Sequence, residues 1–436
     1  MAEAARTTRH YVSDCLAERY PYDANNGFAG IRRREAGRVF NGYGVSGVDD
    51  LMNSITDPSV SVAERAKAVH HLYSRSAAQE TKLQMLDKGI VPLLVSTLRG
   101  GGADLLLAHQ CLLLLRSLAT LPQGCFALIK EGAIAAATAA LRTDAPAAGS
   151  GDSAQTCRVA AAHVLYQVSS NMSGLRWLLG VEHDAAFEGP AAACGGDGVT
   201  PEALMLEVSE SVACAATPAK ATAYLVQTLA RLTSLQRGVE AFLAAPGALD
   251  GVVTLLRRIP LPPTPDTADL SAATLEVVWN TSLDSRGGAA VEQRGVPDSL
   301  FQLLAAVNVS AAVVPVCVQR QLTGALSAVL QLTSVKLSST GPVSSTEERL
   351  RIVAVMDYIR AWNKVATSPP SSDAAAVMTN AVQCVRLASE VKAIRDITHA
   401  TLDAVDAEDA TEGFHLRRQL YFHTRWEAEY HASVKV

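Results

Sequence analysis

The chain has 436 residues, 49% of them hydrophobic and only 5% aromatic, with a formal net charge of −5. The apolar surplus is Ala, Leu and Val, which suits closely packed helices better than a β-sandwich. This mildly acidic balance, with a pI near 6.1, indicates neither a nucleic-acid-binding protein nor a disordered acidic chain.

The opening MAEAARTTRH is charged with no apolar run behind it, so it does not read as a signal peptide. Residues 1–40 read as a docking arm. Its stretch RYPYDANNGFAGIRRREAGRVF mixes Tyr20, Tyr22, Phe28 and Phe40 with Arg32, Arg33, Arg34 and Arg38. A solvated linker carries few aromatics, whereas interfaces are rich in Tyr and Arg.

Residues 40–51, FNGYGVSGVDDL, spell a G-x-G-x-x-G with Gly42, Gly44 and Gly47. A dinucleotide-binding loop needs a buried strand before it and βαβ alternation after it. The preceding IRRREAGRVF is basic and short, and the following sequence is helical in pattern. No nucleotide cofactor is therefore expected.

From Gly47 onward a unit recurs: an apolar lead-in, a Gly, then an amphipathic run ending in Leu or Ile. Its markers are Gly47, Gly89, Gly132, Gly247 and Gly295, with intervals of 42, 43 and 48 residues. The 115 residues between Gly132 and Gly247 leave room for two units with insertions, with Gly180 as the intermediate marker. A glycine can break one helix and let the next start at a sharp angle. A longer apolar helix completes each unit: AERAKAVHHLYSRS, LLLAHQCLLLLRSLA, QTCRVAAAHVLYQVSS, KATAYLVQTLARLTS, LSAATLEVVWNTSL and VQRQLTGALSAVLQLTS. The expected fold is all-α, an armadillo/HEAT-like right-handed superhelical solenoid of about six to seven repeats over residues 41–402.

The densest apolar run, CLLLLRSLATL, is interrupted by Arg116 well short of the ~20 residues of a membrane span. Eight cysteines, at 15, 111, 125, 157, 194, 214, 317 and 384, include no C-x-x-C pair. They read as small buried hydrophobes in a reducing compartment, and the chain as soluble and intracellular with no membrane partner. Pro/Gly/Ser-rich stretches at 142–156, 188–201, 258–269, 336–346 and 367–373 are expected to be surface loops.

LEVVWNTSLDSRGGAAVEQRGVPDSLFQLL resembles the armadillo-repeat family in its order of long helix, Asn, short helix, Gly and next helix. YGVSGVDDLMNSITDPSVSVAERAKAVHHLYSRSAAQETKLQMLDKGIVPLLVSTL is similar to the armadillo-type radial spoke proteins of motile cilia, although the arm, the inserts and the C-terminal tail depart from that pattern. The resemblance implies a non-catalytic interaction scaffold in the radial spoke of the axoneme. Its partners would be axonemal proteins, its location cytoplasmic and ciliary, with no small-molecule substrate, cofactor or nucleic acid.

Armadillo proteins that bind extended peptides carry an Asn near the end of each long helix, whose amide clamps the peptide backbone. The matching positions here are Ser74, Arg116, Gln167, Arg231, Asn280 and Gln331, so only Asn280 fits, and Trp279 beside it is the only Trp in these helices. A cytosolic adaptor or transport receptor for an extended peptide is therefore the second reading. Arg116, Arg231 and the glutamines form either a solvated concave face or a grip for an acidic or polar partner helix. Hydrolase, zinc-protease and P-loop motifs are missing, and no paired carboxylates stand out. His70 and His71 are neighbours on a helix and point to different sides, which makes a poor metal pair. His109 and His163 lie inside helices and read as packing or edge residues.

The tail, residues 403–436, has an acidic stretch from Asp403 to Glu412 and then FHLRRQLYFHTRWEAEYH. In a helix, Phe422, Trp426 and Tyr430 would share one face, either as a cap on the solenoid or as a partner anchor.

Overall fold

The computed structural model describes residues 47–100, 104–142, 151–181, 199–309, 314–332 and 377. Every regular element among them is helical. In chain order they are α1 (Gly47–Thr56), α2 (Val62–Arg75), α3 (Gln79–Asp87), α4 (Ile90–Gly100), α5 (Leu105–Leu118), α6 (Pro122–Lys130), α7 (Ala133–Leu141), α8 (Gly151–Ser170), α9 (Met172–Leu179), α10 (Pro201–Ala213), α11 (Ala219–Thr233), α12 (Gln236–Ala244), α13 (Ala248–Leu256), α14 (Ala268–Ser282), α15 (Ser285–Gln293), α16 (Val296–Val309) and α17 (Val316–Leu332).

Two sets of glycines make the corners. The first is the left-handed set: Gly89, Gly132, Gly180, Gly247 and Gly295 have φ between +65° and +89°. Without a Cβ this conformation costs little, and it turns the chain sharply. The helices around Gly132 meet at 76° and those around Gly247 at 98°. Gly180 is thus a true marker, and the long interval splits into 48 and 67 residues. The larger part contains α10, which the sequence pattern did not single out. Gly47 is the buried first residue of α1.

The second set sits at the third position of four short helices, and no sequence rule applied above picks it out. A Cβ on Gly124, Gly174, Gly238 or Gly287 would fall 1.9, 2.4, 1.8 or 2.0 Å from the carbonyl oxygen of Leu118, Val168, Leu232 or Thr281. In each case that carbonyl is six residues upstream, in the last turn of the preceding long helix. The short helix therefore presses directly on backbone.

The long helices α2, α5, α8, α11, α14 and α17 pack one on the next in an unbroken row. A second row, α4, α7, α10 and α13, runs beside it, and the short helices α3, α6, α9, α12 and α15 follow the long helices α2, α5, α8, α11 and α14 in chain order. One continuous core of Leu, Val and Ala links them, from Val48 to Val329 and including Val377. Ala and Leu dominate because neighbouring long helices must approach closely while still burying apolar area. This is an all-α solenoid, as the repeat pattern predicts. No single helix among the described residues is long and apolar enough to cross a membrane.

Two expectations need correction. Residues 151–156, placed in a loop from their Gly and Ser, form the first turns of α8. Their helix is extended by packing rather than by propensity, because Ala154 in this turn is buried in the solenoid. The cysteines also divide. Cys111, Cys125 and Cys157 are buried, with thiols pushed up by burial to about 12, 12 and 11. Cys214 and Cys317 are exposed instead, since Cys214 caps the end of α10 and Cys317 lies in the first turn of α17.

Candidate interaction surface

The exposed side of the long-helix row carries a chain of side chains that passes from one unit to the next. Arg116 on α5 donates from Nη2 to the Tyr73 hydroxyl on α2 at 2.9 Å, and its guanidinium lies 5.8 Å from the centre of that ring. Its Nη1 lies 3.3 Å from His163 Nδ1 on α8. A guanidinium only donates, so Nδ1 must be the unprotonated acceptor. His163 stacks on Tyr224 of α11, with ring centres 4.1 Å apart and planes 20° apart. Tyr224 in turn faces Tyr166 at 5.4 Å. Arg231 on α11 then donates back to the Tyr166 hydroxyl at 3.2 Å and covers that ring at 4.9 Å.

Further along, Asn280 on α14 donates to the Ala230 carbonyl and the Thr233 hydroxyl of α11, at 3.2 and 3.3 Å. Gln321 on α17 donates to Glu276 on α14 at 3.5 Å. Trp279 lies against Gly324, where an added Cβ would come within 2.4 Å of the indole. At the other end, His70 on α2 bonds Gln110 on α5 at 3.1 Å.

Burial is the main cause of the electrostatic shifts here. The His163 imidazole is pushed down to about 4 by burial, assisted by Arg116 and Lys220. His109 moves down for the same reason, again with Arg116 beside it. Burial raises Glu276, while Arg231 and Arg320 oppose the rise. Arg116, Lys220 and Arg231 stand in this strip against the carboxylate of Glu276, on a chain whose total charge is −5.

Arg116, Arg231 and Asn280 are therefore brought onto one face, as the sequence spacing implies, but each is engaged with a neighbouring unit. Ser74 is exposed and turned back on its own helix, donating to the His70 carbonyl at 3.0 Å. Gln167 is half-buried on α8; the side chain of Gln331 lies outside the described residues. The His70 and His71 rings are 6.2 Å apart, and no group of three possible metal ligands occurs among the described residues. His163, read from sequence as a packing or edge residue, is central to the strip. Tyr22, Phe28, Arg32, Arg33, Arg34, Phe422, Trp426 and Tyr430 lie outside the described residues.

Sequence reasoning passed over Tyr73, Tyr166 and Tyr224, yet a signal exists. Tyr73, Tyr166 and Trp279 each stand one residue before a matched position, in alternate units, and Arg116 and Arg231 occupy the matched positions between them. Aromatic and Arg thus alternate along the row, which is the order that cation–π contacts between adjacent helices require.

No family model matches the sequence, and no curated protein matches it. Solved structures are similar in fold. One comes from work on a phosphorylation switch that controls the interaction between cadherin and beta-catenin. It aligns over 80% of this chain and 61% of its own length, at 16% identity and a TM-score of 0.56. An engineered protein aligns over 65% of this chain and 99% of its own, at 16% identity and a TM-score of 0.48. A designed armadillo repeat protein aligns over 65% and 99%, at 15% identity and a TM-score of 0.45. The fold is that of an armadillo-type α-solenoid.

Proposed function

We propose that the protein is a non-catalytic protein-interaction scaffold whose long-helix face receives an acidic segment of a partner. The observation that carries this reading is the strip itself. Arg116 and Arg231 are held in place by Tyr73 and Tyr166, and together with Lys220 they outnumber Glu276. Interfaces are enriched in Tyr and Arg anchors of this type. The armadillo-type fold supports an interaction role, and in the similar solved system cadherin interacts with beta-catenin.

The more specific reading is a structural subunit of the radial spoke in the axoneme of a motile cilium or flagellum, bound to other axonemal proteins. It rests on the resemblance of residues 43–98 to armadillo-type radial spoke proteins. The adaptor or transport-receptor alternative needs an amide free to clamp a peptide backbone. The Asn280 amide already donates to Ala230 and Thr233.

Tagged protein expressed in a flagellated cell tests the assignment. Retention in axonemes after detergent extraction is the expected result. Nuclear shuttling with no axonemal pool would overturn it in favour of the receptor.

A further inference from the structure

We propose that the acidic segment from Asp403 to Glu412 is an intramolecular occupant of the cationic strip, so that this chain competes with its own partner. The inference rests on the reading of the long-helix face given above. Charge complementarity carries it. The segment TLDAVDAEDATEG holds five carboxylates, Asp403, Asp406, Glu408, Asp409 and Glu412, and no basic residue. It stands in the same molecule as a face on which Arg116, Lys220 and Arg231 outnumber Glu276.

Reach sets no obstacle. Val377 is held in the core, so the tether is the roughly 25 residues from there to Asp403. Extended at about 3.3 Å per residue, they reach about 85 Å. The row from α17 back to α5 crosses four helix–helix spacings of about 8–10 Å each, about 40 Å in all. Tethering also raises the odds of contact. A linked segment acts at an effective concentration of about millimolar, so even a weak ionic contact is populated. If the strip is free only about a tenth of the time, an external acidic ligand binds about tenfold more weakly than to an unobstructed strip.

The test uses the full chain and a fluorescent deca-glutamate peptide at low salt. In one variant the tail carboxylates are neutralised together, Asp403→Asn, Asp406→Asn, Glu408→Gln, Asp409→Asn and Glu412→Gln. It should bind the peptide about tenfold more tightly than the wild-type chain. Lys220→Glu, at an exposed position where the fold is not at stake, should weaken binding in both backgrounds and narrow the difference between them. Equal affinity of the neutralised and wild-type chains would overturn the tail proposal and leave the long-helix face as an acidic-partner site. If neither chain binds the peptide, and Lys220→Glu changes nothing, the reading of the face fails and the tail proposal fails with it.

Discussion

Replacing Gly238 with Ala tests the packing rule on which the solenoid is built. The new Cβ would stand 1.8 Å from the Leu232 oxygen, 2.6 Å from its carbon and 3.3 Å from Leu179 Cδ1. A carbon meets a carbonyl oxygen at about 3.3 Å or more, so α12 must retreat by about 1.5 Å. The obstacle is backbone in the last turn of α11 and cannot rotate away. Retreat also pulls Phe242, Val239 and Ala241, all buried, out of the core. Overpacking alone costs about 1–3 kcal/mol, and lost core contacts take the expected destabilisation to about 3–5 kcal/mol. Gly247→Ala in the same unit is the control. There φ is +89° but nothing lies within 4 Å, so only the left-handed backbone opposes the methyl, at about 1–2 kcal/mol. Urea unfolding followed by circular dichroism at 222 nm reads both. The reasoning is refuted if Gly238→Ala loses less than about 1 kcal/mol, or loses less than Gly247→Ala.

Further outcomes follow from the strip and the termini. His163 is held neutral, with its folded value near 4 below the ordinary 6.5. Its contribution to stability is therefore complete above about pH 6.5 and is lost as pH falls toward 4, with His109 shifted in the same sense. For so partly buried a group this amounts to about 1–2 kcal/mol, and His163→Gln should flatten the pH dependence of melting in that window. Tyr166→Phe, which removes the acceptor for Arg231, should cost about 1 kcal/mol in urea unfolding; no change would mean that ring contact alone holds Arg231. Purified protein should show no micromolar affinity for NAD, FAD or ATP, and such binding lost in Gly44→Asp would revive the glycine loop. Deleting residues 1–40, or changing Phe422, Trp426 and Tyr430 to Ala, should leave the helical signal and melting temperature nearly unchanged while releasing the protein from its assembly. A melting point many degrees lower in the tail variant would make that stripe an internal cap instead.

The repeat was legible because its markers are forced by backbone geometry. A left-handed corner nearly demands glycine, so Gly89, Gly132, Gly247 and Gly295 could be read straight from the sequence, and Gly180 by interval. α10 was not legible from the period. Its unit is stretched by the residues before Val199, so the spacing does not point to it, although Thr200 caps PEALMLEVSESVA and Pro201 opens it. The same limit applies to the glycines at the third position of the short helices. Gly124 or Gly238 looks like an unfavourable helix residue until the carbonyl beneath it is seen. Of the candidate surface, spacing placed Arg116, Arg231 and Asn280 on one face. It could not show that their donors are already engaged, because a partner 43 to 65 residues away is set by the stacking of whole units.

That engagement explains how one strip can brace the solenoid and still attract a partner. Arg116 donates to a phenol oxygen and an imidazole nitrogen, and Arg231 to a phenol oxygen. These acceptors satisfy hydrogen bonds and fix the guanidinium planes, but they carry no charge. The positive charge of each arginine thus persists, held in place and half-desolvated, where it acts more strongly than on a freely rotating surface side chain. An interhelical salt bridge would brace as well but would cancel the field. Glu276 is the carboxylate in the strip, and burial raises its protonation tendency even between Arg231 and Arg320. A row stiffened by neutral acceptors therefore keeps a net attraction for carboxylates along its length. Exchanging Tyr73 for Glu would remove that attraction at its first step. Such a variant should keep the Arg116 contact and the fold, yet lose affinity for an acidic peptide, a combination that a purely structural role for Arg116 does not allow.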